Sequence, residues 1–202
     1  MAKTTKFKGT YYTHEYLWRA SSKNLTMAET NNRERYYLLM QSLLTAYLAF
    51  EAYINFIGEC LDPDAWENEK TFFNQADYYG IEGKIKRLAE KLPNFVFNKG
   101  KEPYQSIKKV GRFRNLLVHA KPYDFEKEER IPSDGSMPDM FGKFIWDRHL
   151  TLENVKRSRK AIKEFCESLR SEANTILDET EPPYLLCPAF EGPLASSESV
   201  TR

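Results

Sequence analysis

Glycine is scarce in this chain, nine residues in 202, and no segment of useful length alternates apolar with polar positions. The first lack argues against tightly turned sandwiches and barrels, and the second removes half-buried strands. No internal repeat is present, which excludes solenoids. Cysteine is nearly absent: Cys60, Cys166 and Cys187 are odd in number, widely spaced and without a C-x-x-C pair. That pattern fits neither a disulfide framework nor a zinc site and reads as reduced cytosolic thiols. Charge of one sign is also lacking, with 30 Lys and Arg against 29 Asp and Glu. Global charge therefore points to no class of partner. The most apolar stretch, Leu43 to Gly58, carries Glu51 at its centre and falls short of the roughly 20 residues that span a bilayer. The N-terminal MAKTTKFKGTYYTHEY has no apolar core of signal-peptide length. The expectation is a soluble cytoplasmic protein with no membrane partner.

What remains is aromatic-rich and helix-prone, with thirteen Phe, twelve Tyr and three Trp. An aromatic-rich helix is expected roughly from Tyr11 to Ser22, ended by the polar run SSKN. Thr26 and Glu29 then have capping-box spacing, which predicts the start of a long helix. Its stripe of Leu39, Leu43, Ala46, Phe50, Ile54, Ile57 and Leu61 follows steps of four and three, the period of one helix face. Asp62 before Pro63 should end it. Glu51 and Asn55 fall on a neighbouring row at the margin of that seam.

Asp64 and Glu67 suggest another helix start, and Ile81, Ile85, Leu88 and Leu92 mark a helix face that ends at Pro93. Pro103 suits a first helical position, and a helix carrying Ile107, Val110 and Leu117 should run to about Ala120. Between Asp124 and Arg148 periodicity is lost, and Phe144 to Trp146 reads as a short extended piece. The last helix begins near Thr151, with Val155, Ile162, Phe165, Leu169 and Ile176 on one face. The expected fold is all-α: an antiparallel bundle of about four or five helices around one long central helix. It forms a single domain over 1–178 with an irregular excursion at 124–148, followed by a polar tail at 179–202.

The segment RFRNLLVHAKPY holds the most chemistry. Asn115 and His119, four apart on a helix, share a face about 40° apart. Arg114 lies about 7.5 Å along the axis and 140° around from His119, so only its long side chain can bring the groups together. At a helix end, open carbonyls and the dipole favour a protonated imidazole. A guanidinium offers a planar fork for phosphate, and an amide can orient a hydroxyl or the imidazole. The combination suits phosphodiester chemistry. From Lys84 to Lys121 there are eleven basic residues against two acids. Lys108, Lys109, Arg112 and Lys121 are the candidates to hold RNA, with aromatic residues such as Tyr123 beside them to stack bases. An ordinary solvated surface would carry the same charges. Glu51, within an apolar seam, needs a partner, and Arg114 is the natural one, in either a structural ion pair or an orienting contact. Gly111, costly inside a helix, implies either close approach of a partner or a late helix start. His14 and His149 have no ligand-like neighbours in sequence and read as structural or exposed. No metal site and no cofactor are expected.

The stretch from Arg114 through His119 resembles the R-x4-6-H motif of HEPN-domain proteins, including the polar residue after the arginine. The helix ending LLTAYLAFEAYINFIGECL is similar in placement to that family's long helix, and the resemblance covers about 26–176. It implies a helical bundle that forms a homodimer with the two motifs facing each other, and a metal-independent RNase of toxin-antitoxin or phage-defence type. An antitoxin protein is the partner this implies. His119 would act as general acid/base at the ribose 2′-hydroxyl, Arg114 would stabilise phosphorane charge, and Asn115 would position His119 or the phosphate. The tyrosine that some of these toxins carry two residues beyond the histidine is replaced here by Lys121. The alternative is a non-catalytic HEPN-like module that binds a partner protein or nucleotide.

Overall fold

The computed structural model describes residues 11–122, Glu126 and 146–177. Among these residues it is all-helical, with no strand. The helices are α1 (Thr13–Thr30), α2 (Arg35–Leu61), α3 (Pro63–Glu67), α4 (Glu69–Phe72), α5 (Gly80–Lys91), α6 (Tyr104–Val118) and α7 (Leu152–Asn174). Five of these have twelve residues or more, and α3 and α4 are one-turn pieces. Among the described residues no helix is long and apolar enough to cross a membrane. The tail at 179–202 and most of the 124–148 excursion lie outside the described residues.

The described residues group into two compact units. The first comprises 11–20, 48–97 and 163–177, and the second 21–47, 98–122, 126 and 146–162. In the first, Phe50, Tyr53, Ile54 and Ile57 of α2 are buried, as are Ile85 and Leu88 of α5 and Leu169 of α7. Phe165 meets Phe50 edge-on at 5.6 Å and Phe95 at 5.5 Å. In the second, Leu39 and Leu43 of α2, Ile107, Val110 and Phe113 of α6, and Val155 and Ile162 of α7 form the core. Burying each such side chain stabilises by about 1.5–3 kcal/mol before ordering entropy is counted.

The expected stripe of α2 is buried from Leu39 through Ile57, and Asp62 and Pro63 end the helix. Its start differs from expectation. α1 runs straight through the SSKN run and through Thr26 and Glu29, and the break falls at Asn31–Glu34. There the Glu34 N–H donates to Asn31 Oδ1 at 3.2 Å, which holds the turn leading into α2. The serines stay helical because their hydroxyls find distant partners. Ser21 Oγ donates to the Ser42 carbonyl at 2.6 Å, and Ser42 Oγ donates to the Ser21 carbonyl at 2.9 Å. Arg159 of α7 donates to Ser21 and to Ser22. Burial among these neutral hydroxyls lowers the Arg159 guanidinium to about 10.

α7 starts as expected, with the Asn154 N–H donating to Thr151 Oγ1 at 3.1 Å. It ends at Asn174, so Ile176 lies beyond the helix and is exposed. Gly111 sits inside α6, which excludes a late helix start. A Cβ there would lie 2.7 Å from Tyr47 Oη, so the glycine admits the tyrosine of α2. Cys166 is buried, and burial raises its pKa.

Candidate functional site

The second unit contains a recess of about 1070 Å³ built on α6. The carboxylate of Glu102 anchors that helix at its start, accepting from the Ser106 N–H at 3.1 Å and from Ser106 Oγ at 3.0 Å. At the other end His119 closes it, its N–H donating to the Asn115 carbonyl at 3.0 Å. Asn115 and His119 are exposed residues, and both line the recess. Arg112 and Lys109, about one and two turns before Asn115, line it as well, as does Lys121 just past the helix. This row at steps of three and four is the helix face expected from Asn115 and His119.

Arg114 and Lys108 are half-buried and are not part of the lining. Arg114 joins the site indirectly: its Nη1 donates to Asn115 Oδ1 at 3.0 Å. With the amide oxygen turned to the guanidinium, Asn115 presents its NH₂ group elsewhere. Tyr123 lies outside the described residues. Glu51 is half-buried in the first unit, where it lines a smaller recess of about 470 Å³ with Asn55 and Lys84.

The basic run from Lys84 to Lys121 divides between the units. Its α5 part is matched by acids of the first unit. Lys84 bonds Glu69 and donates to Asn55 Oδ1 at 2.7 Å. Arg87 meets Asp62 at 2.6 Å and Glu90 at 3.2 Å, and Lys91 meets Asp62 at 3.5 Å.

The remaining lining of the larger recess escapes the sequence reading. It comes from a 3-10 turn, Asp147–His149, with Trp146 before it and from Asn154, Arg157 and Ser158 on α7. Trp146 caps this turn with helical backbone angles, where an extended piece was expected. The turn is tied to α2: Trp146 Nε1 donates to Tyr36 Oη at 2.9 Å, and Tyr36 Oη donates to Asp147 Oδ1 at 2.7 Å. Burial and the Asp147 bond push the Tyr36 phenol up to about 12. Asp147 is thereby drawn away from the lining. Asn154 braces the cations, donating to the Arg148 carbonyl at 2.5 Å and accepting from Arg157.

His149 is the principal residue that sequence reasoning missed. Its ring packs on Phe113 at 5.6 Å, and Arg148 Nε donates to its Nε2 at 3.4 Å. Burial, with Arg148 and Lys109 adding like charge, lowers its pKa and keeps it neutral at neutral pH. Thirty residues separate it from His119, so no spacing rule joins them.

Among the described lining residues, five are Lys or Arg, two are His, and none is Asp or Glu. Such a concave cationic surface focuses potential on an anion. The exposed Asn115 and His119 add hydrogen bonding and proton transfer, and Trp146 offers a half-buried aromatic ring. The lining therefore suits an anionic ligand. Comparison of the chain with protein-family models, curated proteins and solved structures found no match.

Proposed function

We propose that the protein is a metal-independent endoribonuclease of HEPN type, acting on single-stranded or looped RNA in the recess of the second unit. The observation that carries this reading is that Asn115 and His119 open together onto a recess whose charged side chains are all cationic. Lys109, Arg112 and Lys121 hold the backbone phosphates. His119 moves a proton at the reacting ribose and phosphate oxygens, worth about 10²–10⁴ in rate. Arg114 fixes the Asn115 amide, whose NH₂ donates to a phosphate oxygen; this replaces the direct phosphate contact expected of Arg114 from sequence. In this reading two copies associate with their motifs face to face, which the mass in solution tests.

One observation favours a second reading. Arg114 stands outside the lining, which suits a module that binds nucleotides or a partner without cutting. The two separate when purified protein is incubated with total RNA in chelator, comparing wild type with His119→Ala and Arg114→Ala. The nuclease reading expects cleavage by wild type, loss with His119→Ala and a smaller loss with Arg114→Ala. Equal cleavage by all three, or RNA retained intact by all three, rejects it.

A further inference from the structure

The recess holds a second histidine outside the R-x4-6-H motif. His149 is half-buried, lines the same surface as His119 and is held by the fully buried ring of Phe113. Phe113 precedes His119 by six residues, about 9 Å of helix axis. Both imidazoles therefore line one recess but come from different segments, His119 from the end of α6 and His149 from the turn packed on Phe113. In-line displacement at phosphorus can use two such groups, because the attacking oxygen and the leaving oxygen lie on opposite sides of the phosphorus atom.

The contacts of His149 identify its lone pair. Arg148 Nε is a donor, so the Nε2 atom it approaches at 3.4 Å is an acceptor. That separation is long for a hydrogen bond, so a ligand hydroxyl at ordinary distance competes with it easily. Arg148 and Lys109 also disfavour a proton on the free ring. They would offset the charge of a phosphate once RNA is bound.

Building on the ribonuclease reading above, we propose that His149 and His119 form an acid–base pair, with His149 as the base and His119 as the acid. Nε2 of His149 takes the proton of the ribose 2′-hydroxyl as O2′ bonds to phosphorus. The P–O5′ bond breaks, and its electron pair takes a proton from the His119 imidazolium. The products are a 2′,3′-cyclic phosphate and a 5′-hydroxyl end. No water, metal or oxidant is consumed, and the exposed His119 exchanges its proton with solvent.

The test uses the full chain in chelator on an RNA oligonucleotide, and on the same oligonucleotide with sulfur in place of the bridging O5′. A thiolate leaves without being protonated, so the sulfur substrate needs the base but not the acid. His149→Ala and His119→Ala should each lose about 10²–10⁴-fold on ordinary RNA. The sulfur substrate should restore His119→Ala alone, and added imidazole should restore His149→Ala. His149→Gln, which keeps bulk against Phe113, should be as slow as the alanine variant and carries the test if that variant misfolds. Wild-type cleavage by His149→Gln, with His119 still required, overturns this inference and leaves the ribonuclease reading standing. So does rescue of His149→Ala by sulfur, or its failure to respond to imidazole while still binding RNA. No cleavage of either substrate by wild type overturns both.

Discussion

In the first unit the cations of α5 meet carboxylates: Lys84 has Glu69, Arg87 has Asp62 and Glu90, and Lys91 has Asp62. In the second, Lys109, Arg112 and Lys121, further along the same basic run, line a recess to which no described acid contributes. The same run of sequence, rich in lysine and arginine, thus does two kinds of work. Where the fold supplies a counter-charge, the cation is part of the scaffold. Where no described acid lines the surface, the cation has no such role in the scaffold. Charge density in a sequence does not make that distinction, because counter-charges arrive from distant segments.

The largest expected effect tests the contrast directly. Replacing Lys109, Arg112 and Lys121 together by alanine should weaken RNA binding by at least about tenfold and flatten its log–log salt dependence by about two. Thermal stability should barely move. Arg87→Ala should do the opposite: RNA affinity unchanged, but a loss of about 1–2 kcal/mol as Asp62 keeps only the 3.5 Å contact to Lys91. Filter binding across a salt series and urea denaturation read the two quantities. If Arg87→Ala weakens RNA binding as much as the triple change, the contrast collapses.

Histidine repeats the comparison. His14 in the first unit is 2% exposed, packed against Tyr53 at 5.2 Å and Phe56 at 5.0 Å. Burial lowers its pKa from 6.5 to about 4. Between those values the unfolded chain binds a proton that the folded chain refuses, so stability is full above pH 6.5 and falls as pH drops toward 4. The loss reaches up to about 3 kcal/mol. Denaturation at pH 7 and pH 5 should show the decline, and His14→Phe should flatten it. An unchanged pH dependence in that variant would place the acid sensitivity elsewhere.

The smallest effect concerns Gly111. Gly111→Ala brings a methyl to 2.7 Å from Tyr47 Oη, so it should destabilise by about 1 kcal/mol despite the gain in helix propensity. Adding Tyr47→Phe removes the nearest atom and should recover part of the loss. A double-mutant cycle with no coupling would mean that Tyr47 moves aside freely.

What sequence revealed follows from the range of the interactions. The α2 stripe, the stop at Asp62 and Pro63, and the α6 end at the Asn115 and His119 face rest on neighbours within a few residues, so periodicity and capping rules reach them. The start of α2 was misplaced because Ser21 is held by Ser42 and Arg159, partners 21 and 138 residues away. Arg114 was expected to reach round toward His119; it donates instead to the neighbouring Asn115. The wall formed by Trp146, Arg148 and His149 was invisible because it comes from a segment without periodicity, fixed by Tyr36 more than 100 residues earlier.

The buried polar knot of Ser21, Ser42 and Arg159 has a consequence of its own. Apolar helix faces tolerate sliding by a turn, since one leucine replaces another at little cost. Hydroxyls and a guanidinium drawn from α1, α2 and α7 match in a single alignment, and any slip would strand them in hydrocarbon. The two serines and the arginine therefore act as a vernier. They set the axial position of α7, and with it the position of Asn154 and Arg157, to within a fraction of a turn.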